Sequence, residues 1–63
     1  MPITELFTYT ERVENAAQSF LKLKANNLND YIAFRNTIAT EWVVNHLDLD
    51  EKVWEITQQT RNA

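Results

Sequence analysis

The chain contains no glycine, and its one proline is Pro2. Glycine reaches positive φ without steric penalty and makes up about 7% of an average protein. A chain without it has no easy route to tight hairpins, β-bulges or phosphate-cradling loops. Long helices joined by turns of other residues remain, and asparagine is the residue here best suited to those turns. The expected fold class is therefore all-α.

Sixty-three residues allow one domain, 1–63. A chain of this size buries only about 60% of its unfolded surface and is marginal on its own. There is no cysteine, so neither a disulfide nor a thiolate metal site can help. An apolar fraction of 44% is too high for disorder. The apolar runs are far too short to span a membrane. Met1 to Thr10 lacks the basic start of a secretory signal, so the expected location is cytoplasmic. A net charge of −3 disfavours a sequence-independent nucleic-acid binder and is too mild for a DNA mimic.

Three segments carry helical periodicity. In the first, Leu6, Tyr9, Val13, Ala16, Phe20 and Leu23 alternate steps of three and four. This predicts a long helix over about 4–25. Thr8 and Glu11 have capping-box spacing, which would start the helix at Thr8 and leave Leu6 and Phe7 in an arm. The stripe reaching back to Leu6 favours Thr4 as the cap. Asn26, Asn27 and Asn29 then close one helix and open the next.

The second helix is predicted over about 29–46. Leu28, Tyr31, Phe34, Ile38, Ala39, Trp42 and Val43 share one side of it, and Ile32 widens the arc beyond the ~100° of an ordinary surface helix. The third helix, short, is predicted over about 51–61, capped by Asp48 or Asp50. With Asp50 as cap, Leu49 and Trp54 are spaced as a hydrophobic staple. Leu49, Val53, Ile56, Thr57 and Thr60 face the core, and Asn62 and Ala63 fray. The expectation is a bundle of three helices (long, long, short), completed by dimerisation because the second helix carries more apolar surface than two neighbours need.

Helix chemistry accounts for most of the charges. Acidic residues gather near predicted N-termini and Lys22, Lys24 and Arg61 near C-termini, where each gains about 0.3–1 kcal/mol from the macrodipole. Asp48, Asp50 and Glu51 superficially resemble a calcium loop, but the glycine is missing and Gln59 stands where the bidentate glutamate belongs. His46 is the only histidine and reads as a helix C-terminal residue. No catalytic, cofactor-binding or metal site is expected. Ser19 has no base nearby, and so small a domain leaves no room for a deep cleft. The expectation is a protein that is not an enzyme and needs no cofactor.

Interaction remains. Arg35 lies inside an apolar arc, where its guanidinium can stack on Tyr31 or Trp42, pair with a carboxylate of another helix, or lie at a subunit interface. Trp54 falls about 100° from the direction of Val53, as a staple partner or an exposed anchor. Phe7 and Val44 also leave their stripes and could join exposed apolar patches. These six residues are the candidate partner or dimer interface. The expected function is a regulator or inhibitor docking on a larger protein through a helix face. A DNA-binding regulator using the third helix is one alternative, although Asp48, Asp50, Glu51 and Glu55 would repel phosphates. A structural subunit of a larger assembly is the other.

Overall fold

Thr8 divides the first apolar stripe into two helices. In the computed structural model, which describes residues 2–61, Thr8 is extended at φ −68° and ψ 165°. The Glu11 N–H donates to the Thr8 hydroxyl at 3.2 Å, and the Thr8 N–H donates to Glu11 Oε1 at 2.9 Å. This capping box opens α2, Tyr9–Lys22, and leaves a single turn before it, α1, Ile3–Leu6. The Thr8 N–H, and after it the Thr8 hydroxyl, favour the charged carboxylate, so the pKa of Glu11 lies below its ordinary 4.5. That contribution is present above the ordinary value and lost as the pH falls through the lowered one.

The single long helix expected from Thr4 is thus two helices. Leu6 remains 55% exposed, so extending the stripe back to it would gain little. A cap contributes about 1 kcal/mol. Phe7, extended at φ −134° and ψ 145°, also turns its ring to within 5.7 Å of Trp42. An aromatic pair of this kind contributes about 0.5–1.5 kcal/mol. At its other end α2 stops at Lys22, before the expected Ala25, on an extended Leu23.

Asn27 opens α3, Leu28–Trp42, by accepting the Asp30 N–H at 2.8 Å, and Asp30 reaches back to the Asn26 N–H at 3.3 Å. Asparagine starts this helix as expected. The helix ends four residues earlier than expected, and not on asparagine. Val43 adopts the left-handed conformation, φ 54° and ψ 54°. Its N–H donates to Thr40 O at 3.2 Å and the Val44 N–H to Ala39 O at 3.0 Å. These are the two bonds of a Schellman motif, whose left-handed position usually belongs to glycine. The Arg12 guanidinium of α2 holds the Val43 carbonyl at 2.6 Å. Left-handed backbone costs a residue with a Cβ about 1–2 kcal/mol. Val43→Gly is therefore expected to raise stability by about 1 kcal/mol, shifting Tm upward by about 4–8 °C. Thermal unfolding by circular dichroism measures this, and a lowered Tm would contradict it.

α4 runs His46–Arg61, far longer than predicted. Asn45 caps it: the Leu47 N–H donates to Asn45 Oδ1 at 2.8 Å and the Leu49 N–H to Asn45 O at 3.1 Å. His46 is therefore the first residue of α4, not the last of the preceding helix. Asp48 and Asp50 lie within the helix and cap nothing. The staple of Leu49 with Trp54 does not form, because Leu49 is fully buried and Trp54 is 66% exposed. The expected fraying of Asn62 and Ala63 lies outside the described residues.

Four helices, not three, make up the described residues, with no strand. α2, α3 and α4 pack against one another. Ala16, Ala17 and Phe20 of α2, Ile38 and Ala39 of α3, and Leu49 and Val53 of α4 form the core. The three alanines keep the helix axes close, and Leu49 fills the space between them. Tyr31, Phe34, Trp42, Val44 and Ile56 seal the rim. Among the described residues no helix is long and apolar enough to cross a membrane.

Candidate functional site

Two aspartates of α4 tie the bundle together. The Tyr9 hydroxyl of α2 donates to Asp48 Oδ2, and its oxygen accepts the Asn45 N–H at 3.1 Å. The Arg12 guanidinium lies 5.3 Å from the centre of the Tyr9 ring. Across the helix, Asp50 accepts from the Tyr31 hydroxyl at 3.2 Å and from Arg35 Nη1 at 2.7 Å. Asp48 thus reaches α2 and Asp50 reaches α3. Spacing suggests both as caps, but their partners lie 15 to 39 residues away in the chain.

The two tyrosines share one electrostatic signature. The pKa of Tyr9 is raised above its ordinary 10.0, first because its proton is held by Asp48; the Asn45 N–H and Arg12 oppose this. That of Tyr31 is raised first by burial, then by the charge and hydrogen bond of Asp50, against Arg35. The folded state favours the protonated phenols. Their contribution is complete below the ordinary value and is lost as the pH rises through the raised ones. Absorbance titration of the folded protein should place both tyrosines above 10.0. In Tyr9→Phe the remaining tyrosine should still titrate above the ordinary value, and an ordinary value for it would contradict the Asp50 tie.

The structure separates the six candidate interface residues. Arg35 is engaged within the chain, its side chain 19% exposed and paired with Asp50. This is the carboxylate of another helix that its position suggested. A pair this accessible contributes at most about 1 kcal/mol. Tyr31 meets Phe20 edge-on at 5.0 Å, Phe7 packs on Trp42, and Val44 seals the core beside Trp42. Trp54 is the one member of the six that stands exposed.

A second residue joins it that sequence reasoning missed. Leu47 is also 66% exposed. It precedes Trp54 by seven residues, so once α4 begins at His46 the two share a face two turns apart. The signal is the same i, i+7 spacing, hidden because the predicted helix boundaries leave Leu47 between helices. Glu51 and Glu55 flank Trp54 and are exposed, and Lys52 approaches Glu55 at 3.7 Å. The outer side of α4 therefore presents two apolar anchors in an acidic surround. Comparison with protein-family models, curated proteins and solved structures found no match.

Proposed function

We propose that the chain is a non-enzymatic protein–protein interaction module of the cytoplasm, a regulator or inhibitor that docks on a larger protein through the outer face of α4. The exposure of Trp54 carries this reading. A tryptophan left two-thirds exposed forgoes the burial that stabilises a marginal domain, and tryptophan is among the residue types that dominate binding energy at interfaces. Leu47 supplies a second anchor on the same face. Trp54→Ala should leave the helical spectrum and Tm intact while weakening binding to the protein that co-purifies from the native host by at least about tenfold, or 1.4 kcal/mol. Unchanged affinity in a folded variant would remove Trp54 from the interface.

The module also self-associates. Phe34 and Trp42, on the apolar side of α3, help to seal the core within one chain. Leu28, 71% exposed, and Ile32, one turn on and 39% exposed, remain uncovered on α3. Sedimentation equilibrium that gave only a 7.4 kDa species at tens of micromolar would contradict self-association.

A further inference from the structure

Charge is segregated along this chain. Residues 15–31 contain Lys22 and Lys24 against Asp30 alone, whose carboxylate accepts the Asn26 N–H, whereas residues 46–55 contain Asp48, Asp50, Glu51 and Glu55 against Lys52 alone. Among the described residues no ion pair engages Lys22, Lys24 or Glu51. Each charged region also holds exposed apolar side chains. Leu21, Leu23 and Leu28 are 39%, 42% and 71% exposed beside the lysines, as Leu47 and Trp54 are exposed beside the glutamates. The α2–α3 turn adds a shape: Ala25, Asn26, Asn27, Leu28 and Tyr31 line an open recess of about 360 Å³.

We propose that the outer face of α4 in one copy docks on the α2–α3 turn of a second copy, with Trp54 entering the Ala25–Leu28–Tyr31 recess and Glu51 and Glu55 meeting Lys22 and Lys24. This rests on the proposal that the chain self-associates, and it names the two surfaces that meet. The occupant is a second copy because the chain itself carries the complementary charge beside an apolar recess. The two patches are different surfaces, so the joint is head-to-tail and leaves one free patch of each kind at the ends. With two apolar anchors on one side, it belongs to the weak class that buries less than about 1,200 Å². Self-association then covers the same α4 face that docks on other proteins, and a partner competes with the chain's own copies for it.

The test is sedimentation equilibrium of the full chain in sodium chloride. At about 10 mM salt the Debye length is about 30 Å and association is expected; at about 1 M it is about 3 Å and the dissociation constant should rise at least about tenfold. Two variants follow, each checked for helicity: Trp54→Ala, and Lys22→Glu with Lys24→Glu. Each alone should be monomeric, because each lacks one half of the joint. Mixed in equal amounts they should form a 1:1 heterodimer, since the intact α4 face of the lysine variant meets the intact turn of the tryptophan variant. A mixture that remains monomeric overturns the proposal. So does a salt-insensitive dimer that survives in both variants, which would support a two-fold dimer instead. A wild-type chain that stays monomeric at low salt overturns self-association altogether and leaves docking on a larger protein standing.

Discussion

Leu49→Ala should lower the unfolding free energy by about 3 kcal/mol or more. Among the described residues Leu49 is the one large side chain with no exposure, and it reaches from α4 into the space left by Ala16, Ala17 and Ala39. Leucine-to-alanine changes at such sites cost about 2.7–5 kcal/mol, because the surroundings relax only partly around the cavity. Relaxation here would require α4 to shift, and that shift would disturb the ties from Asp48 to Tyr9 and from Asp50 to Tyr31 and Arg35. At about 0.05–0.15 kcal/mol per residue, a domain of this size has a total stability of about 3–9 kcal/mol. The substitution therefore removes a third or more of it. Urea unfolding should show a lower midpoint at unchanged slope. A loss under about 1.5 kcal/mol would mean that Leu49 does not fill the centre of the core.

Ala16→Leu should destabilise from the opposite direction, by about 2 kcal/mol. Ala16 has no exposed surface and lies in the core cluster with Leu49 and Phe20. Added methylenes in a packed core force side chains off rotamer or push helices apart, at about 1–3 kcal/mol. Helix propensity cannot offset this, since leucine is slightly worse than alanine. Ala33→Leu is the control, because Ala33 is exposed on α3 and the same change there should stay within about 0.5 kcal/mol. Equal effects at the two positions would contradict the assignment of alanine as a spacer between helices.

Leu49 and Ala16 both lie on apolar stripes that are legible in the sequence itself. The spacing of Val13, Ala16 and Phe20, or of Leu49, Val53 and Ile56, identifies a helix and its inner face, because burial imposes the helical period directly. Helix ends are harder to read. Thr8 with Glu11 and Asp48 with Glu51 have the same spacing, yet only the first pair forms a capping box. Asn45 preempts the second by capping α4 three residues earlier, and Asp48 then serves Tyr9 instead. Val43 carries no local sign that it would take the left-handed position. That conformation is held by Arg12 from α2 and by Val44 packing on the core, which are long-range effects.

The candidate surface is legible to the same degree. A helical wheel singles out Trp54 by placing it off the core face, and it is exposed. Arg35 and Tyr31 can be singled out too, but not their shared partner Asp50, since pairing across 15 and 19 residues has no period. Leu47 joins the surface only because α4 starts at His46, a boundary that Asn45 sets and that spacing alone misplaces.

The central claim is that α4 has two working sides, with Leu49 and Val53 holding the core while Trp54 stands free to dock. Trp42→Phe leaves Trp54 as the only tryptophan. In dilute protein at high salt, Trp54 should emit like free tryptophan in water and be quenched by acrylamide nearly as fast. Blue-shifted emission with strong protection from the quencher, in a chain shown to be monomeric, would place Trp54 inside the fold and contradict the account.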